Sequence, residues 1–98
     1  MSNAANEELV REAAKKEKRG RDLEIDDMSF ILSHKGGRRF MWRLLCECGV
    51  FKLSADNSGS WTYFNEGRRN VGLKLLNDIN ETSPESYFLM LKESKEQF

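Results

Sequence analysis

The sequence predicts an all-α protein: a compact bundle of about four helices over residues 22–98, preceded by a charged helical arm over residues 1–21. Three observations carry this expectation. From Trp61 to Leu91 the apolar residues recur at helical spacing. Phe40, Met41, Leu44, Leu45 and Cys48 form an i, i+3, i+4 stripe. The one proline, Pro84, directly follows Ser83, where it opens a helix and does not interrupt one.

The elements follow in order. Residues 6–21 read as a charged helix whose only apolar anchors are Leu9, Val10, Ala13 and Ala14, with Glu7–Arg11 and Glu12–Lys16 at the favourable i,i+4 spacing. With so little apolar surface this arm should fray in water, and it gains a firm helix by docking on a partner. A short second helix is expected over Leu23–Ser33, broken at His34, Lys35, Gly36 and Gly37. A third runs from Arg38 to Glu47 and ends at Gly49. Val50 to Leu53 alternates like a short extended piece, and residues 54–60 form a polar loop in which Asp56, Ser58 or Ser60 is placed to cap the next helix. That helix runs to Asn80, with Phe64, Val71, Leu75 and Ile79 on one face; the last starts at Pro84 behind an N-cap at Ser83.

Composition narrows the function classes. A chain of 98 residues with 39% hydrophobic and 33% charged residues fits one small domain with long solvated faces. Formal net charge is zero, so nucleic-acid binding would have to come from local patches. No window is long and apolar enough to span a membrane, and the polar start does not resemble a signal peptide. The two cysteines, Cys46 and Cys48, are too close to bridge each other comfortably, which points to a reducing compartment.

No catalytic or cofactor motif emerges. His34, Cys46 and Cys48 supply three metal donors where structural zinc needs four in paired spacing, and Cys48 fits the apolar stripe. No third group orients a Cys–His pair, and Gly36-Gly37 lacks the ending of a phosphate-cradling loop. The expectation is a non-enzyme without metal, cofactor or small-molecule substrate.

What the chain does offer is an assembly surface. Gly67 and Gly72 lie inside a helix, where each costs up to ~1 kcal/mol relative to alanine, so a close helix–helix or helix–partner contact is expected there. Arg68, Arg69 and Arg43 are positioned to fix orientation through charged pairs. Arg68 falls on the Phe64–Val71 face, and its partner is either Glu47 within the chain or a carboxylate on a neighbouring subunit. The aromatics Trp42, Trp61, Tyr63, Phe64, Tyr87 and Phe88 are expected mainly in the core, with Trp61 and Tyr63 as candidate interface anchors. Candidate nucleic-acid contacts are Lys15, Lys16, Lys18, Arg19 and Arg21 on the arm and Arg38 and Arg39 on the third helix, set against internal pairing as the ordinary use of such charges.

Three runs together resemble a known family: GRRFMWRLLCECGVF at Gly37–Phe51, FNEGRRNVGLKLLNDI at Phe64–Ile79, and PESYFLMLKE at Pro84–Glu93. They are similar to small proteins of short-tailed phages, encoded among virion-morphogenesis genes and first noted in a Bordetella podophage. The resemblance spans residues 23–93 and leaves the arm outside. It implies a virion structural or assembly protein of the portal, head-to-tail or ejection machinery, acting as a homo-oligomer with other phage virion proteins as partners. It also implies a location in the virion, and in the host cytoplasm during assembly. The alternatives are a phage DNA-binding protein and a host-interaction adapter.

Overall fold

One helix replaces the two expected at the N-terminal end. The structure, a computed structural model, describes residues 2–51 and 59–96, with the backbone alone at residues 2 and 59–61. Among the described residues there are four helices and no strand: α1 (Ser2–Leu32), α2 (Lys35–Glu47), α3 (Gly59–Thr82) and α4 (Pro84–Glu96). The expected break between arm and second helix does not occur, because Gly20 alone cannot stop a helix that Arg21 ties down just beyond it. Arg21 donates to Glu24 on its own helix at 2.9 Å and reaches Asp78 (2.9 Å) and Glu81 (2.5 Å) on α3.

The break after α1 is shorter than expected, and Gly36 and Gly37 form the first turn of α2. Gly37 is there for space. A Cβ at this position would run into the Ile31 carbonyl group, whose carbon would lie 2.9 Å away. Only a glycine lets α2 start so close beneath the end of α1.

Gly49 ends α2 as expected. It adopts a left-handed φ of 73°, its N–H bonds to the Cys46 carbonyl at 3.0 Å, and the Val50 N–H reaches back to the Leu45 carbonyl at 3.3 Å. These two bonds make a Schellman motif that satisfies the last carbonyls of the helix. The turn folds Phe51 back over α2, where its ring stacks on Trp42 at 5.1 Å. Val50 and Phe51 therefore lie in a turn, not in the expected extended piece. Lys52, Leu53 and the cap candidates Asp56 and Ser58 lie outside the described residues, and Ser60 falls within α3. Ser83 caps α4: its Oγ accepts from the Ser86 N–H at 3.3 Å.

The core is small and rich in methionine. Met28, Leu32, Met41, Leu45, Cys48, Val50, Ile79 and Met90 are buried, with Ile31, Trp42, Leu44, Leu75, Leu76 and Tyr87 packed around them. The C-terminal part of α1 packs on α2 and α3, and α4 closes over α2 and α3. Residues 3–20 are all exposed. That projection explains a radius of gyration of 18.4 Å, well above the ~13 Å of a compact chain this long.

Several expected core aromatics are not in the core. Tyr63, Phe64 and Phe88 are 81%, 60% and 68% exposed, as is Val71 at 58%. The inward face of α3 runs instead through Gly72, Leu75, Leu76 and Ile79. Helical spacing identified α3 correctly, but a helix with apolar residues on more than one side leaves its inward face undetermined.

Candidate protein-interaction surface

The two helical glycines of α3 serve different ends. Gly72 is buried, and a Cβ there would lie 2.6 Å from the Cys48 Cβ and closer still to Val50, so its close approach is to the end of α2 within this chain. Gly67 has nothing within 4 Å of its Cβ position among the described residues. It lies between Phe64 and Val71 on an exposed face that also carries Arg68. Val71 continues towards Leu75 and, across on α1, Met28 and Ile31, where the two helices form a shallow groove whose apolar floor is rimmed by Glu24, Asp27, Lys74 and Asp78.

Arg68 does not pair with Glu47. Its Nη2 donates to the Asn65 side-chain oxygen at 3.3 Å, and the guanidinium lies 5.8 Å from the Phe64 ring centre. Arg43 stacks similarly over Phe40 at 5.5 Å. Arg43 and Arg68 border one hollow with Cys46, Glu47 and Gly49. Arg69 is half-buried, with its Nε shielded from solvent and without a hydrogen-bond partner. Tyr63 is open to solvent, and the Trp61 side chain lies outside the described residues.

Two candidate nucleic-acid contacts are used internally. Arg38 Nε donates to Glu93 Oε1 at 2.7 Å and its Nη1 donates to the Leu32 carbonyl at 2.8 Å, so one side chain joins the end of α1, the start of α2 and the end of α4. Arg21 is committed to Glu81, Glu24 and Asp78, which hold its guanidinium firmly protonated; Arg21 in turn, with Asn77, holds the Glu81 carboxyl below its usual range. Neither arginine presents an open charge to phosphate. Lys15, Lys16, Lys18, Arg19 and Arg39 remain exposed.

Sequence reasoning missed the Arg38–Glu93 pair, although a signal existed. Arg38 lies three residues before buried Met41, and Glu93 three residues after buried Met90, so each occupies the inward stripe of its helix. The cysteines diverge, Cys46 exposed and Cys48 buried. No group of three or more His, Cys, Asp and Glu among the described residues is arranged to hold a metal ion, and no helix is long and apolar enough to cross a membrane.

These features define a small all-helical bundle with a projecting helical arm and, among the described residues, apolar side chains exposed along α3. Residues 28–92 match the family model of Bbp19-like phage proteins, and the chain belongs to that family. No curated protein and no solved structure matches it. The matched region begins at the buried part of α1, at Met28, and leaves the arm outside.

Proposed function

We propose that this phage protein is a virion structural or assembly component that works by packing against other protein subunits, in the portal, head-to-tail or ejection machinery. The observation that carries the reading is the exposed face of α3. Phe64 and Val71 flank an open Gly67, and the face runs on into the charge-rimmed groove between α1 and α3. Large apolar side chains grouped around a flat spot are what a packed interface uses, and they cost solubility when left bare. Arg68, held over Phe64, sits at this face where it can meet a carboxylate of the neighbour. The DNA-binding alternative is left with the arm lysines, Arg19 and Arg39, since Arg21 and Arg38 are bound internally.

Mass spectrometry of purified particles tests the reading. The chain is expected at a fixed copy number, and a Phe64→Ser/Val71→Ser double variant should be depleted from particles while remaining folded. Absence of the wild-type chain from mature particles would overturn a structural role.

A further inference from the structure

We propose that the exposed face of α2 binds the phosphate backbone of duplex DNA through Lys35, Arg39 and Arg43. From Met28 to Cys46 the chain holds no Asp or Glu, its longest such run, although acids and bases balance over the whole sequence. The helix α2 carries Lys35, Arg38, Arg39 and Arg43, and its single acid, Glu47, is its last residue. Arg38 turns inward to Glu93. The other three cations are spaced at i, i+4 and i+8, so they share one side of the helix, and all three are exposed. The ion pairs among the described residues involve Arg21 and Arg38 and none of these three. The ridge is about 12 Å long at ~1.5 Å per residue, a length that spans roughly three or four phosphates of one DNA strand at about 3.4 Å each.

Ordinary solvation is the plain alternative, and the arm shows its pattern: Glu7, Glu8, Glu12 and Glu17 lie among the basic residues there. The α2 face differs in sign and in placement. No acid stands in its first turn, and Lys35 opens the helix at the end where the backbone dipole disfavours positive charge. Helix stability gains nothing from a cation there, whereas a polyanion along the face is drawn by the side chains and the dipole together. The face also selects the polyanion. Lysine is depleted from packed protein interfaces, while contacts to phosphate stay wet and need only accessible positive charge. The helix has no Ser, Thr, Asn or Gln to read base edges or a ribose hydroxyl. Phe40, its most exposed aromatic, already carries the Arg43 guanidinium and is not open to stacking on unpaired bases. Binding is therefore to a duplex and independent of its sequence. It stands apart from the packing reading, which rests on α3.

Fluorescence anisotropy of a labelled DNA duplex of about 20 base pairs, titrated with the full chain at several salt concentrations, tests it. The wild type should bind at low salt, with log K falling against log salt at a slope of roughly −3 for its three phosphate contacts. Lys35→Ala/Arg39→Ala/Arg43→Ala should weaken binding by about tenfold or more and flatten that slope. The charge-keeping Lys35→Arg/Arg39→Lys/Arg43→Lys should bind as the wild type does, and Lys15→Ala/Lys16→Ala/Lys18→Ala on the arm should retain most of the affinity. Unlabelled duplex should displace the probe better than single-stranded DNA or polyglutamate of equal charge. Unchanged thermal melting of the α2 variant verifies that the bundle is intact, and Arg39→Glu alone gives the same reading should the triple variant fold poorly. No binding by the wild type, an α2 variant that binds as tightly as wild type, a loss confined to the arm variant, or stronger competition by single strands or polyglutamate would each overturn the assignment.

Discussion

Arg38 and Glu93 form the most buried ion pair in the described structure, with side chains 14% and 8% accessible and a separation of 2.7 Å. The second guanidinium bond, to the Leu32 carbonyl, makes the pair a three-way joint between α1, α2 and α4. The other carboxylate oxygen, Glu93 Oε2, is buried without a hydrogen-bond partner, so the joint is not fully satisfied. Breaking a buried pair by removing one partner strands the other charge and costs about 3–5 kcal/mol. Arg38→Ala and Glu93→Ala should therefore each lower the urea midpoint sharply. An Arg38→Met/Glu93→Leu double replacement should recover most of the loss, and a double variant no better than the singles would refute the account.

The two α3 glycines should respond in opposite directions to the same substitution. Gly72→Ala forces a methyl group into Cys48 and Val50 and should destabilise by about 1–3 kcal/mol. Gly67→Ala meets open space and should leave stability unchanged or raise it by up to ~1 kcal/mol through better helix propensity. Denaturant unfolding of both variants provides the comparison.

Acid should loosen the clasp between α1 and α3. Glu81 is held below its ordinary range by Arg21 first and Asn77 second. A carboxyl with a lowered folded pKa contributes stability that is fully present above its unfolded value, about 4.3, and lost as pH falls through its folded value. Melting temperatures taken from pH 7 downward should thus decline less steeply in that acidic window for Glu81→Gln than for wild type. The exposed setting keeps the effect modest and sensitive to salt.

Gly49 should resist replacement. Its φ of 73° belongs to the left-handed region, so Gly49→Ala should cost about 1–2 kcal/mol, while Gly49→Asn should cost less. Thermal unfolding of the two variants checks the order.

The parts of this fold legible in the sequence are those governed by local chemistry. Ser83 and Pro84 opened α4, Gly49 closed α2, and of the expected α2 stripe Met41, Leu44, Leu45 and Cys48 face inward while Phe40 is 50% exposed. What depended on distant contacts was hidden. Nothing near Gly20 announces that Arg21 will find Asp78 and Glu81 and hold α1 as a single rod. Phe64 and Gly72 look equally eligible for the core, and only the placement of Cys48 and Val50 against α3 decides between them. Gly67 and Gly72 had the same signature, an unfavourable residue within a helix, yet one is filled from inside the chain and the other opens outward.

Since α1 continues without a hinge from the solvent-facing tip to Leu32, a load applied near Leu9 travels along the hydrogen-bonded backbone directly into the packing around Met28. The helix is about 46 Å long at ~1.5 Å per residue, and Arg21 acts as its fulcrum against α3. Tilting that lever would act first at its inner end, on the seating of Met28, the buried methionine that α1 carries.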